Sequence, residues 1–246
     1  MNNQASAGSR IDLLAHVFPI LDSAAISELN EICLETNYDE GALISQEGSY
    51  ASGVHIVRAG LVKIGKYGQS GTGKRVLRFL GVGELLGLEA VALEHSTRMQ
   101  YAKAIVPSTL IFVERGNLVA FRRDHPEICV DLCRWLAREV VMLEFKLTRD
   151  AVESLDRNLA LVLIALAHKY GVSTQEGVVL DLLVSRRVIA EILGVSVESL
   201  ARSLRRFRDR KLIAASGKHI TIMDFDSLME RARITPFYLS IIENTL

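Results

Sequence analysis

The spacing of hydrophobic positions changes several times along the chain, and each change marks a different kind of element. From Ile11 to about Asn37 apolar residues recur every three or four positions, which predicts a short helical lead-in. From Gly41 to about Glu114 short β-rich runs are separated by glycines, which predicts an antiparallel sandwich, barrel or roll. The predicted strands are Val54–Gly60, Leu61–Ile64, Arg75–Leu80 and Ala104–Val113.

A long helix is predicted to follow this β-rich region. Asp124-His-Pro-Glu is typical of a helix start, and the chain then runs to about Val152 without glycine or proline. One apolar stripe follows this helix, made of Leu132, Leu136, Val140, Leu143, Leu147 and Ala151. A narrow stripe of this kind faces a partner helix, so we expect a two-stranded dimer interface. Packing of the stripe against the chain's own sheet is the alternative.

The last third predicts two short helices that meet at a tight turn. A helix at Arg157–Tyr170 and a β-like run at Val178–Val184 precede them. The two helices, Ser185–Gly194 and Val197–Arg210, are joined so that Gly194 ends the first and Ser196 caps the second. This is the pattern of a helix-turn-helix.

The second of these helices sorts its side chains by angle. Apolar residues on one side are expected to pack on the first helix: Val197, Leu200, Leu204 and Phe207. Charged residues form a row on the other side, which we call the polar row: Glu198, Arg202, Arg205 and Asp209. In a major groove arginine can donate two bonds to guanine, and glutamate can accept one from cytosine. A solvent-exposed salt bridge between Glu198 and Arg202 is the alternative.

A hairpin at Leu212–Met223, with its predicted turn at Ser216-Gly217, resembles the wing of a winged helix. The wing would place Lys218 and His219 near a phosphate backbone. The complete set of predicted DNA contacts is Ser185, Arg186, Arg187, Ser196, Glu198, Ser199, Arg202, Arg205 and Lys218.

Composition and charge narrow the class of protein. The chain is 49% hydrophobic and 24% charged, with 29 basic and 29 acidic residues, which excludes collagen-like and disordered classes. Residues 155–246 nevertheless carry 13 basic against 10 acidic side chains, which suggests a polyanionic partner, with a solvated helix face as an equal alternative. The cysteines number 3, and no apolar run is long enough for a bilayer, so we expect a cytoplasmic protein.

The order of β-roll, long helix and winged helix-turn-helix resembles the Crp–Fnr family of bacterial transcription factors. The segments Val195–Leu204 (VSVESLARSL) and Leu212–Lys218 (LIAASGK) carry the resemblance. It implies an α+β fold with an N-terminal antiparallel β-roll (a cyclic-nucleotide-binding-like jelly roll) at 1–123. A dimerisation helix at 124–152 and a winged helix-turn-helix at 153–246 complete the fold. It implies a homodimeric, non-enzymatic regulator that binds double-stranded DNA and RNA polymerase.

The same resemblance assigns roles on the second helix. Family members read base pairs with a glutamate and with the arginine four residues later, which correspond to Glu198 and Arg202. Val197 stands where the cyclic-AMP receptor branch has arginine. The chain is therefore more similar to the branch of the fumarate-nitrate reduction regulator, whose half-site resembles TTGA rather than TGTGA. Ala201 stands where that branch often has serine.

The segment Gly83–Tyr101 resembles the phosphate-binding cassette of the family. Leu88 stands where cyclic-nucleotide binders have a ribose-binding glutamate, and Met99 stands where they have a phosphate-binding serine or threonine. Each missing polar partner in a buried site costs on the order of 1–3 kcal/mol, so we do not expect tight cyclic-AMP binding. Arg98 could still attract an anion, and Glu89 could replace the missing carboxylate. The effector-pocket candidates are Gly87, Leu88, Glu89, Arg98, Met99, Leu143 and Glu144.

Other cofactors would need cysteine or histidine ligands at suitable positions in the sequence. The N-terminal segment has no cysteine group, so no iron–sulfur cluster is expected. Haem stays open because the chain has His16, His55 and His95. His125, Cys129 and Cys133, spaced at i, i+4 and i+8, could bind a metal or form a thiol switch, although a free cysteine is commonly a small core residue.

An NTP-binding hydrolase is the alternative function. Gly68–Lys74 (GQSGTGK) has the spacing of a nucleoside-triphosphate loop. Arg75 replaces the metal-binding serine or threonine, and a strand rather than a helix is predicted next. The tip of a hairpin is the interpretation that the sequence favours.

Overall fold

The structure is a computed structural model that describes residues 9–67, 74–92, 97–147, 155–181, 185–216 and 219–233. The chain divides into two compact units, a front unit (Met1–Val140) and a back unit (Val141–Leu246). Among the helices in the described ranges, none is both long and apolar enough to cross a membrane.

The front unit begins with two capped helices. In α1 (Arg10–Val17) Ser9 accepts from the Asp12 amide and Asp12 bonds back to the Ser9 amide. In α2 (Ser23–Glu31) Asp22 accepts from the Ala25 amide. Eight strands are described after them: β1 (Cys33–Tyr38), β2 (Leu43–Ser45), β3 (Gly53–Ala59), β4 (Val62–Tyr67), β5 (Lys74–Leu80), β6 (Leu85–Leu86), β7 (Tyr101–Ala104) and β8 (Ser108–Glu114).

These strands form two antiparallel sheets, in the orders β1-β8-β3-β6 and β2-β7-β4-β5. Successive side chains of β3 point to opposite faces, as the period of a strand requires. Val57 packs with Ile64 and Leu80 of the second sheet, whereas Ile56 packs with Leu14 and other residues of the helices. The predicted β-roll is confirmed, and one sheet has apolar residues on both faces.

Three helices complete the front of the chain: α3 (Glu89–Ala92), α4 (Arg115–Asp124) and α5 (Ile128–Leu147). The predicted helix start at Asp124 is wrong, because α4 ends there and α5 begins at Ile128. Pro126 disfavours a helical conformation at the residue before it, and His125 accordingly has a non-helical backbone with φ −124° and ψ 68°.

Two other sequence predictions are corrected in this unit. The helical lead-in does not reach Asn37, because Cys33–Tyr38 is a strand whose partners lie in β8. The run Ala104–Val113 is two strands, β7 and β8, since the segment containing Pro107 interrupts them. Proline has no amide hydrogen for a sheet ladder.

The back unit combines two helices, a helix-turn-helix and one sheet in its described residues. Its helices are α6 (Leu155–Tyr170), α7 (Arg186–Leu193), α8 (Val197–Asp209) and α9 (Phe225–Ala232). Its strands are β9 (Gly171–Thr174), β10 (Gly177–Asp181), β11 (Ile213–Ser216) and β12 (His219–Ile222), in the order β11-β12-β10-β9. Fully buried Leu159, Leu163, Phe207 and Leu228 lie in its core.

The predicted helix-turn-helix is confirmed by its caps. Gly194 has φ +66°, the left-handed conformation that a helix-ending glycine adopts readily. Ser196 accepts a bond from the Ser199 amide at the start of α8. Ser216, which was predicted in the hairpin turn, instead ends strand β11 and pairs with His219 of β12. Gly217 and Lys218 lie between these partners, outside the described residues, as do residues 182–184 of the run Val178–Val184.

Candidate nucleic-acid interface and effector site

Helix α8, which we call the recognition helix, is anchored by an apolar side. Leu200, Leu204 and Phe207 are buried, as predicted. Val197 was predicted on the same side but is 43% exposed. It is the first residue of the helix, and helical side chains lean toward the N-terminus, so Val197 points past the first turn.

The polar row lies on the exposed side of the recognition helix. Glu198, Arg202, Arg205 and Asp209 are all exposed. Among the described residues Glu198 and Arg202 do not form an ion pair within 4.0 Å. Arg202 instead donates from Nη2 to Ser199 Oγ at 3.0 Å, and Ser196 Oγ lies 3.1 Å from the same hydroxyl. Two hydroxyl groups therefore connect the helix cap to the guanidinium.

The Glu198 carboxyl is ionised at neutral pH. Hydrogen bonds from its own amide and from Ser196 lower its pKa, and the positive charge of Arg202 acts in the same direction. An ionised carboxylate only accepts hydrogen bonds, so Glu198 can accept from the amino group of a base.

The predicted backbone contacts flank this helix in the sequence. Ser185 caps α7, and its Oγ accepts from the Val188 amide at 3.4 Å. Arg186 is exposed, and the Arg187 side chain is 84% exposed with its Nε 3.9 Å from Glu191. Lys218 lies outside the described residues.

A polar network behind the recognition helix was not predicted. Asp156 of α6 and Ser203 of α8 are buried, with 9% and 0% exposure. Ser203 Oγ donates to Asp156 at 2.7 Å, and Arg206 donates to both Asp156 oxygens at 2.5 and 3.1 Å. The spacing of Ser203 and Arg206 puts them on one flank of a helix, but nothing in the sequence pairs that flank with Asp156 across 47 residues.

The cassette of the front unit centres on a buried arginine. Arg98 is 3% exposed, and its Nη2 donates to the Gly53 carbonyl oxygen at 2.6 Å. Its Nη1 lies 3.4 Å from Glu89 Oε1. Gly87 has φ +91°, and a Cβ at that position would overlap Arg98 and lie 2.9 Å from the Gly53 oxygen. Gly87, Glu89 and Arg98 are thus brought together.

The remaining pocket candidates are described by their burial alone. Leu88 is buried in the core of the front unit, and Met99 is 55% exposed. Leu143 of α5 is 54% exposed. Glu144 belongs to α5, and its side chain lies outside the described ones.

The apolar stripe of α5 divides into two parts. Leu132 is half-buried and packs on the core of the front unit, as the alternative interpretation requires. Leu136, Val140 and Leu143 are 43%, 53% and 54% exposed. The side chain of Leu147 lies outside the described ones. The assignment of this stripe to a dimer interface stays a prediction.

The first residue of the possible metal or thiol cluster lies outside α5. His125 precedes the helix, stacks on Phe121 with ring centroids 4.5 Å apart, and has Nε2 2.8 Å from Glu28. The hydrogen bond to Glu28 raises the pKa of His125. Within the described ranges no group of three or more His, Cys, Asp or Glu side chains could hold a metal ion. His125, Cys129 and Cys133 therefore do not form a metal site there.

Two further titratable side chains, Cys33 and the possible haem ligand His55, are buried. Burial raises the pKa of the Cys33 thiol to about 11, against a smaller opposing effect of Arg10. Burial and the neighbouring charge of Arg98 lower the pKa of His55 to about 4, and its Nδ1 has no hydrogen-bond partner among the described atoms. His95 and residues 68–73 lie outside the described residues. Lys74 begins strand β5, in agreement with the hairpin interpretation of Gly68–Lys74.

Both units match known families. Residues 158–231 match the Crp-like helix-turn-helix domain, and residues 35–125 match the cyclic nucleotide-binding domain. The chain belongs to the Crp–Fnr family. It is a regulator of transcription with a DNA-binding helix-turn-helix, and regulators of this family bind DNA as dimers. The alternative of an NTP-binding hydrolase is not favoured.

Individual Crp–Fnr proteins are similar over most of the chain. The CRP-like cAMP-activated global transcriptional regulator of Mycobacterium tuberculosis is 28% identical over 221 residues, which cover 89% of this chain and 97% of that protein. The global nitrogen regulator of Synechococcus elongatus is 25% identical over 76% of this chain and 84% of its own length. The structure of FixK2 from Bradyrhizobium japonicum superposes with a TM-score of 0.72 at 20% identity, covering 83% of this chain and 99% of that one. The last similarity concerns the fold.

Proposed function

We propose that this regulator binds, as a homodimer, a twofold-symmetric DNA site whose half-sites resemble TTGA. The observation that carries the proposal is the exposed pair Glu198 and Arg202, one turn apart near the start of the recognition helix and not joined in an ion pair. The N-terminal residues of such a helix contact base edges in the major groove. Glu198 accepts from a cytosine amino group, and Arg202 donates to guanine.

The neighbouring side chains serve the DNA backbone in this proposal. Ser185, Arg186, Arg187 and Lys218 contact phosphates, while Ser196 and Ser199 position Arg202. Regulators of this kind act at promoters, so we infer RNA polymerase as a further partner and the cytoplasm as the compartment.

Anisotropy titrations with a fluorescent duplex test the DNA target. A duplex with two inverted TTGA half-sites is expected to bind at least tenfold more tightly than a scrambled duplex of equal composition, at one fixed salt concentration. A third duplex carries TGTGA half-sites. Preference for the TGTGA duplex would overturn the assignment to the fumarate-nitrate reduction branch, and equal affinity for all three would overturn sequence-specific recognition by Glu198 and Arg202.

We further propose that cyclic AMP is not the effector. Arg98 already has two partners: its Nη1 is paired with the Glu89 carboxylate, and its Nη2 donates a hydrogen bond to the Gly53 carbonyl oxygen. A phosphate would have to displace these partners and would still lack the groups that Leu88 and Met99 replace. Calorimetry with cyclic AMP is expected to show no binding in the micromolar range. Saturable micromolar binding would contradict this proposal.

Control of DNA binding is proposed to act through a dimer formed by α5. Two recognition helices must lie about 34 Å apart to engage successive major grooves, so a small shift between the two subunits changes affinity. The exposed apolar residues Leu136 and Val140 are expected to meet their counterparts in the second subunit. Analytical ultracentrifugation is expected to show that the double variant Leu136→Glu/Val140→Glu is a monomer. The control Ala137→Glu changes an exposed position off the stripe and is expected to stay a dimer. A dimeric double variant would place the interface elsewhere.

A further inference from the structure

The network behind the recognition helix is a closed set of hydrogen bonds among three side chains. Asp156, the second residue of α6, accepts from Ser203 Oγ at 2.7 Å. Arg206 donates to it through Nε at 3.1 Å and through Nη2 at 2.5 Å. The same Nη2 lies 2.7 Å from Ser203 Oγ. A carboxylate that meets two nitrogens of one guanidinium has the geometry of a strong, directional ion pair.

The position of Arg206 on the helix makes this ion pair unexpected. At about 100° per residue, Arg206 lies about 40° from Arg202 around the axis, and Arg205 lies about 60° away on the other side. By angle alone Arg206 is as close to Arg202 as Arg205 is. The ion pair instead engages its guanidinium with α6, although the side chain is still 47% exposed.

The charges of the network keep it formed at neutral pH. Burial favours the neutral acid at Asp156, but the hydrogen bonds from Arg206 and Ser203 and the charges of Arg206 and Arg210 together lower the pKa of Asp156. The hydrogen bond to Asp156 raises the pKa of Arg206. Both partners are therefore charged wherever DNA binding is measured.

We propose that Asp156 determines specificity by withholding Arg206 from the DNA backbone. This inference rests on the proposed function, in which the exposed side of the recognition helix enters the major groove. Each cation that reaches a phosphate strengthens binding to every sequence alike. Because a chromosome offers a vast excess of non-target sites, an unrestrained Arg206 lowers the ratio of target to non-target binding. Asp156 thus protects discrimination without contacting a base.

The salt dependence of non-specific binding separates this role from that of a structural brace. The affinity of the full-length chain for a scrambled duplex is measured over a range of salt concentrations, for the unchanged protein and for Asp156→Asn. One additional phosphate contact per subunit steepens the slope of log affinity against log salt by about 0.9, or about 1.8 for a dimer. We expect this steeper slope, tighter binding to the scrambled duplex and a smaller preference for the TTGA duplex. A brace that merely breaks would weaken binding to both duplexes.

A second pair of variants tests the inference without altering Asp156. Arg206→Met is expected to leave the slope unchanged within about 0.5, whereas Arg187→Met, the same substitution at a proposed phosphate contact that is 84% exposed, reduces the steepness by about 1.8. In the Asp156→Asn protein, adding Arg206→Met is expected to abolish the increase in slope and in affinity for the scrambled duplex. Adding Arg208→Met instead is expected to leave both increases in place. Circular dichroism confirms that each variant is folded.

Two results would overturn the inference: a folded Asp156→Asn protein with an unchanged or shallower slope, or an Arg206→Met protein that loses as much of the slope as Arg187→Met. A failure of the proposed function looks different, because the unchanged protein would then show no preference for the TTGA duplex over the scrambled one. The slopes on the scrambled duplex still decide the role of Asp156 in that case.

Discussion

Arg98 in the front unit and Arg202 in the back unit both correspond to ligand-binding residues in the family resemblance, Arg98 to an anion contact and Arg202 to a base contact, yet their surroundings are opposite. Arg98 is 3% exposed and is bonded to a carbonyl oxygen and to Glu89. Arg202 is exposed and touches a hydroxyl group. The first arginine is committed to the fold, and the second is available to a partner. The role of a motif residue can therefore be inferred only when its hydrogen-bond and charge partners within the protein are known.

Replacing the buried arginine should have the largest effect on stability. Arg98→Met leaves the Gly53 carbonyl and Glu89 without their donor and is expected to lower the free energy of unfolding by about 2–4 kcal/mol. Denaturant unfolding followed by the fluorescence of Trp135, the one tryptophan of the chain, measures this in the front unit. Arg58→Met, which breaks a more exposed pair with Glu35, is the control and should cost about 0–1 kcal/mol. Equal costs would show that Arg98 is not committed to the fold.

The front unit should also lose stability in acid because of His55. Its pKa is about 4 in the folded chain against an ordinary 6.5, so the unfolded chain binds more protons between these values. The contribution of neutral His55 to the free energy of unfolding is therefore fully present above pH 6.5. It decreases as the pH drops toward 4, by up to about 3 kcal/mol.

The check is the same fluorescence assay at several pH values. His55→Gln is expected to flatten the curve in this window, and His16→Gln, at an exposed position of α1, is not. A curve that His55→Gln leaves unaltered would show that another group is responsible.

The exposed arginine should show the reverse pattern of the buried one. Arg202→Ala is expected to change the free energy of unfolding by less than about 0.5 kcal/mol but to weaken binding to the TTGA duplex by about 1–3 kcal/mol. Anisotropy titrations on the TTGA and scrambled duplexes measure the difference, with Arg208→Ala as the control on the same helix. Equal losses on both duplexes would make Arg202 a phosphate contact rather than a base contact.

The smallest effect is expected at the cap of the recognition helix. Ser196→Ala removes the acceptor for the Ser199 amide, which costs about 1 kcal/mol of stability. It also removes one end of the hydroxyl chain to Arg202, so preference for the TTGA duplex should fall. Ser185→Ala, at the corresponding cap of α7, should weaken binding to both duplexes by the same factor and leave the preference unaltered. Hydrogen exchange and anisotropy report the two quantities, and a Ser196→Ala protein with full preference would separate the cap from the positioning of Arg202.

The helix-turn-helix could be predicted because its signals are local. Gly194, Ser196 and the 3.6-residue period fix the turn, the cap and the buried side within about 15 residues of chain. The break before α5 also had a local signal, Pro126, which was interpreted as a helix start instead. Strand β1 was missed because its residues are ordered by pairing with β8, far along the chain.

The candidate sites divide in the same way. The polar row follows from helical angles, and all four of its members are exposed as predicted. The inward attachment of Arg98 and the ion pair of Asp156 depend on partners 45 and 50 residues away, and no periodic pattern encodes such contacts. Val197 was misplaced because angle alone takes no account of the end of a helix.

The cysteines offer a practical means of following the subunits in solution. Cys33 is buried with a pKa of about 11, so a maleimide dye at neutral pH encounters almost no thiolate there. Cys133 is exposed on α5. Once Cys129 is changed to alanine, a fluorophore or spin label attaches at Cys133 alone. Distances between labels on paired subunits, with and without DNA, then record how far the two α5 helices move.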